Sequence, residues 1–341
     1  MQKLVMASLA VLALTLLPFR GDQAKGQERP YEEMRAEVVE LYGEGRFAEA
    51  AAVLSDALEL YPDHLMANCF NLALMFLRLE QHEESLKSLA YGLDRDIWYG
   101  DYTFLDAIWE PLKQDEGWAA FQARNEEAKA LEQRMVEPRL EVVLPRGYEP
   151  ARRYPLFLAL HGGGENVDAF MPNWVSPVLQ DEFIVAFPQS TQLIAMDGYN
   201  WTEDIDLSLR EIRAAFDQVV GRYSVDTDRV LVGGFSSGGV AALEVVLKDV
   251  LPVRGFVVLC PAMPDDFSPE AVRGARERGV RGTLLTTEMD GRVDQQTRMA
   301  EIMEAEALSH EFHITPNIGH WYPTDLAERI DRAIAHIRKG S

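Results

Sequence analysis

One short run constrains this chain more than any other: Val232-Gly233-Gly234-Phe235-Ser236-Ser237-Gly238-Gly239-Val240. It carries G-x-S-x-G as Gly234, Ser236 and Gly238, with an apolar stretch before it and a helical pattern after it. Such a strand–turn–helix connection holds its serine in a strained backbone geometry and projects the hydroxyl from the edge of a sheet. Side chains larger than glycine at 234 and 238 would collide across the turn. The five-residue motif alone arises easily by chance, and its placement between strand and helix is what gives it meaning.

The surrounding pattern agrees with that placement. Leu156–Leu160 is continuously apolar, as in a strand covered on both faces. Phe183–Phe187, Val230–Gly234, Gly255–Cys260 and Thr283–Thr287 read the same way, and Arg139–Leu144 reads as a peripheral strand. Helical periodicity falls between them, near 204–222, 237–249, 268–278, 295–308 and 324–338. This alternation predicts an α/β domain over 138–341, with a doubly wound, mostly parallel sheet. Ligands of such sheets bind at the carboxyl ends of the strands.

Two more strand ends carry chemistry. Leu160-His161-Gly162-Gly163-Gly164 follows a strand directly, and glycines there let backbone N–H groups approach an oxyanion. The expected oxyanion hole combines the N–H of Gly163 with that of Ser237, the residue after the serine. Gly319-His320-Trp321 follows the last strand. Of the seven histidines only His320 stands in a loop at a strand's carboxyl end and after Ser236. The order serine, acid, histidine then requires an acid between 236 and 320. Asp290, just past the strand 283–287, is the expected one, with Asp294 and then Glu288 as alternatives. In such a triad the imidazole takes the serine proton and the acid orients the imidazole.

Over roughly 140–340 these residues resemble the secreted esterases related to polyhydroxybutyrate depolymerases, feruloyl esterases and the phospholipase/carboxylesterase group. The resemblance rests on His161–Gly164, on Tyr223-Ser224-Val225-Asp226-Thr227-Asp228-Arg229-Val230, on Gly234–Gly239, on Asp290 to Val293 and on Gly319-His320. Trp201 matches a tryptophan those enzymes carry before the next helix, and is read as an apolar face for substrate. The chain departs from the pattern where those enzymes have cysteine after His-Gly: here Gly163 follows, and their disulfides are absent. The resemblance implies an α/β-hydrolase fold and hydrolysis of carboxylic esters. A serine peptidase or acyl transferase using the same triad, and a binding protein with an inert hydrolase half, are the alternatives.

Residues 30–135 read differently. Their apolar spacing is helical throughout, and Gly45–Ala50 returns 35 positions later as Glu80–Ser85. Leu58 returns as Leu93. This resembles the tetratricopeptide repeat, which implies a smaller all-α domain and a protein partner on its concave face. A dense set including Trp98, Tyr102, Leu105, Trp109, Trp118 and Phe121 would complete it as a cap.

Composition excludes several classes. The net charge of −22 opposes binding to nucleic acid or to an anionic membrane surface. From Glu28 to Glu137 there are 24 acids against 10 bases, so most of the excess lies in under a third of the chain. Residues 1–26 read as a secretory signal peptide: Lys3, an apolar run Leu4–Leu17, Pro18, and small residues Ala24 and Gly26 ahead of a cleavage site. An uncleaved anchor is the alternative. The expected location is secreted or periplasmic. Cys69 and Cys260 are read as core residues, no His/Cys cluster has metal-ligand spacing, and no metal or organic cofactor is implied. Glu165, Glu203, Asp204 and Asp206 are expected near the substrate mouth, where they would disfavour anionic esters or simply favour a helix N-terminus.

Overall fold

The computed structural model describes residues 29–339, so the expected signal peptide lies outside the described residues. The chain divides into two compact units between Arg134 and Met135.

The first unit is helical: α1 (Tyr31–Gly43), α2 (Phe47–Leu60), α3 (Leu65–Arg78), α4 (His82–Leu93), a short α5 (Glu110–Lys113) and α6 (Trp118–Gln133). From α1 to α4, each helix packs on the next. Gly45, with φ +75°, lets the chain reverse between α1 and α2 where a side chain would be strained. Small and aliphatic residues at helical spacing meet in the core, among them Val38, Leu41, Ala50, Leu54, Ala57, Ala73 and Leu89. Phe104 gathers the rings of Trp109, Trp118 and Phe121 around it at 5.1–5.9 Å. Tyr102 and Leu105, read as part of that apolar set, are instead exposed. Among the described residues no helix is long and apolar enough to cross a membrane.

The second unit is a β-sheet covered by helices. Its strands are β1 (Arg139–Val143), β2 (Tyr154–Leu160), β3 (Ile184–Gln189), β6 (Val225–Phe235), β7 (Val253–Leu259), β8 (Arg281–Thr287) and β9 (His310–Thr315). They lie in the order β1-β3-β2-β6-β7-β8-β9, with only β1 antiparallel. All seven side chains of β2 are buried, as its unbroken apolar run requires. Helices cover both faces. Helices α9 (Ile205–Arg222), α10 (Ser237–Leu247), α11 (Pro269–Glu277) and α12 (Val293–Ala305) build one core with Leu158, Val232 and Val258. The short helices α7 (Val167–Phe170) and α8 (Pro177–Glu182) join α13 (Leu326–Arg338) over Phe157, Leu231 and Val257 on the other. A hairpin of β4 (Gln192–Ala195) and β5 (Gly198–Asn200) was not legible in the sequence. Its two strands are too short for an alternating pattern to stand out.

Candidate active site

The elbow is built as its glycines demand. A Cβ on Gly238 would lie 2.2 Å from the Leu160 carbonyl oxygen and 2.4 Å from that of His161. One on Gly234 would lie 2.5 Å from the Leu160 oxygen and 2.7 Å from the Gly238 carbonyl carbon. The turn is therefore pressed against the end of β2 without room for a methyl group. Ser236 sits in it at φ +52°, ψ −116°, a conformation that costs a non-glycine residue free energy. Its N–H donates to the Leu259 carbonyl at 2.9 Å, fixing the turn to β7.

The strained turn aims the hydroxyl at a histidine. His320 Nε2 lies 2.8 Å from Ser236 Oγ, and His320 Nδ1 lies 2.9 Å from Asp290 Oδ2. Asp290 is 3% exposed, whereas the His320 side chain keeps 32% of its surface. Burial pushes the Asp290 carboxyl up, but hydrogen bonds from His320, the Gln296 amide and the Arg292 N–H outweigh it, leaving the group below its ordinary value. Gln296 is itself buried, with Nε2 shared between Asp290 Oδ2 at 3.1 Å and the Pro261 carbonyl at 3.0 Å. The His320 loop is pinned by Thr287 Oγ1, which donates to the Gly319 carbonyl at 2.7 Å.

The two alternative acids are placed elsewhere. Glu288 accepts the Asn317 N–H at 2.9 Å and faces solvent. Asp294 is exposed in the first turn of α12. The structure thus brings together Ser236, His320 and Asp290 and leaves the other two acids out.

Gly163 and Ser237 also meet. The Gly162 N–H donates to Glu165 Oε2 at 2.7 Å and the Gly164 N–H to the Tyr199 carbonyl at 2.9 Å. The Gly163 N–H between them has no acceptor among the described residues. Ser237 opens α10, where an N–H has no intrahelical partner. A Cβ built on Gly163 would lie 3.3 Å from Ser237 Oγ, so the two residues are neighbours. Two free donors beside a serine hydroxyl suit a developing oxyanion.

Trp201 does not fit its expected role. It is fully buried, stacked obliquely on His161 at 5.0 Å, and its Nε1 donates to the His161 carbonyl at 3.1 Å. A ring without exposed surface offers no face to a substrate, so Trp201 braces the glycine loop from behind. The exposed tryptophan is Trp321, 53% accessible and next to His320. Its ring meets Phe235 edge-on at 6.4 Å, and Phe235 also contacts His320 at 4.9 Å.

Three of the four acids expected at the mouth have hydrogen-bond partners. Asp204 caps α9 by accepting the Leu207 N–H, and Glu203 accepts from Asn200 Nδ2 at 2.8 Å. Glu165 is largely enclosed and bonded to Gly162 and Tyr322. Glu203, Asp204 and Asp206 all remain exposed, and Asp204 and Asp206 stand at the N-terminus of α9, where negative charge is favourable. Cys260 is buried within 4.8 Å of the Asp290 and His320 ligand atoms, a proximity that linear spacing does not reveal. Burial pushes its thiol up to about 12, so it packs there as a neutral group.

A parallel sheet with a serine elbow after its central strand and an acid and histidine past later strands defines an α/β-hydrolase. The chain belongs to the alpha/beta hydrolase family, whose model matches residues 156–335, more than half of its length. Curated protein sequences give no match. Among solved structures, an uncharacterized protein from Bacillus cereus ATCC 10987 is similar over 92% of this chain and 100% of its own, at 22% identity and a TM-score of 0.52. A ferulic acid esterase is similar over 60% of this chain and 93% of its own, at 14% identity and a TM-score of 0.50. The feruloyl esterase module from Clostridium thermocellum matches 58% of this chain and 82% of its own, at 20% identity and a TM-score of 0.44. At these identities the likeness is one of fold.

Proposed function

We propose that this chain is a serine hydrolase of carboxylic esters, with Ser236 as nucleophile, His320 as base and Asp290 as the orienting acid. The reading rests on one observation, the unbroken series Ser236 Oγ to His320 Nε2 at 2.8 Å and His320 Nδ1 to Asp290 Oδ2 at 2.9 Å. In the proposed reaction Ser236 Oγ attacks the ester carbonyl while its proton passes to His320 Nε2. The N–H groups of Gly163 and Ser237 receive the oxyanion. His320 returns the proton to the leaving alkoxide, which departs as alcohol and leaves an acyl-serine. A water, deprotonated by His320, then attacks the acyl carbon, releasing the acid and restoring the hydroxyl. The alkoxide must stand over His320 Nε2 to be protonated, so Trp321 beside it is read as an apolar face for the alcohol part.

The helical unit is read as tetratricopeptide-like and as a surface for a protein partner, and export to a secreted or periplasmic location follows from residues 1–26. The deciding experiment is a fluorophosphonate probe on wild type and Ser236→Ala, together with matched p-nitrophenyl esters and aminoacyl anilides. Labelling and ester turnover lost in Ser236→Ala support the reading. Turnover of anilides over esters would favour a peptidase, and labelling that persists in Ser236→Ala would assign the nucleophile elsewhere.

A further inference from the structure

Glu165 and Tyr322 close a contact between the two loops that carry the oxyanion amide and the histidine. Tyr322 Oη lies 2.9 Å from Glu165 Oε1 and 2.8 Å from Oε2, with the hydroxyl donating. The same Oε2 accepts the Gly162 N–H at 2.7 Å. Tyr322, two residues past His320, is 8% exposed. Glu165 has no Lys or Arg in ion-pair reach among the described residues, and burial pushes its carboxyl up. A carboxylate enclosed without a counter-ion costs free energy that an apolar residue of similar size would spare the fold. Its presence therefore answers a positional demand.

That demand is visible in the loop. Glu165 takes the amide of Gly162 and the Tyr199 carbonyl takes that of Gly164, so the Gly163 N–H is aimed by restraint on both sides. A Cβ on Gly162 would lie 2.8 Å from Glu165 Oε2 and 2.7 Å from Phe235 Cδ1. The Phe235 ring in turn lies 4.4 Å from the Tyr322 ring and 4.9 Å from that of His320. The residue preceding the nucleophile, the histidine loop and the glycine loop are thus held through one tyrosine–carboxylate contact and one shared ring.

We infer that Glu165 and Tyr322 form a latch that sets the Gly163 amide in register with His320 and Ser236, and that both act as positioning residues. The inference rests on the ester-hydrolase reading above. Misplacement of reacting groups by about 1 Å costs on the order of 100-fold in rate.

The test uses the full chain and p-nitrophenyl acetate, with kcat and KM measured separately for wild type, Tyr322→Phe, Glu165→Gln and Glu165→Ala. Fluorophosphonate labelling rates and thermal midpoints are measured alongside. Tyr322→Phe should lower kcat and the labelling rate together, on the order of 10- to 100-fold, with KM changed less than about twofold. Glu165→Gln, which keeps an acceptor for Gly162, should retain more activity than Glu165→Ala. The double variant Tyr322→Phe/Glu165→Gln should be about as slow as the slower single one, since both break one contact. Unchanged kcat in folded Tyr322→Phe would overturn the latch, as would failure of that near-isosteric variant to fold, which would make Tyr322 a packing residue. If wild type neither labels nor turns over any ester, the hydrolase reading itself falls.

Discussion

His161 Nε2 accepts the Ser190 backbone N–H at 3.1 Å, and this contact fixes the buried imidazole as neutral. Its other nitrogen, Nδ1, donates to the Gly162 carbonyl at 2.8 Å. Protonating Nε2 would set one donor against another inside the fold. Burial accordingly lowers the group from 6.5 to about 4.

The stability of the hydrolase unit should therefore fall with acid in a defined window. Above pH 6.5 His161 is neutral in folded and unfolded chains, and its contribution is fully present. Between 6.5 and 4 the unfolded chain takes the proton first, so stability declines, and below 4 the loss levels off. The total is about 3 kcal/mol. Denaturant unfolding of wild type and His161→Asn at pH 7, 5.5 and 4 checks this. The two stability curves should converge toward acid, and parallel curves would remove His161 as the cause.

The assignment of the acid makes a sharper demand. Asp290→Asn should lower kcat on the order of 10⁴-fold, since the amide favours the wrong imidazole tautomer. Asp294→Asn, which alters an exposed side chain on α12, should leave kcat within about twofold. Steady-state rates on one ester decide it, and a large loss in Asp294→Asn would shift the acid by one helical turn.

The glycines can be separated by the space around them. Gly238→Ala should abolish the native elbow, because its Cβ would meet two carbonyl oxygens at 2.2 and 2.4 Å. Overpacking against backbone typically costs about 1–3 kcal/mol or more. Gly319→Ala, next to His320 but with nothing within 4 Å of its Cβ, should melt within a degree or two of wild type. Calorimetry on both variants tests the contrast.

The two tryptophans should fail in different ways. Trp201→Ala should destabilise the unit by about 3–5 kcal/mol, as loss of a buried aromatic does. Trp321→Ala should leave the melting midpoint near wild type and lower kcat/KM for benzyl acetate more than for ethyl acetate. An equal loss on both esters would separate Trp321 from the alcohol site.

These contrasts also mark what was legible in the sequence. The elbow, the glycine loop and the His320 loop could be read because each is a short string whose meaning depends on the strand just before it. Asp290 followed from the same rule. The burial of Trp201 was not legible, because linear spacing in a loop does not tell which side of the chain a ring takes. The Glu165–Tyr322 contact joins residues 157 positions apart, and Gln296 reaches Asp290 and Pro261 from a helix face that looks ordinary by itself. The bond of His161 to Ser190 depends on β3 lying beside β2. Contacts of this kind are products of the sheet order, which apolar runs do not encode.

The conformation of Ser236 carries a last consequence. At φ +52° the residue holds roughly 1–3 kcal/mol of backbone strain, all of it relieved by glycine, whose greater freedom when unfolded takes back up to about 1 kcal/mol. Ser236→Gly should then give an inert protein that withstands heat better than its parent. The serine at this position is thus a cost to the fold that only a use for its hydroxyl would offset.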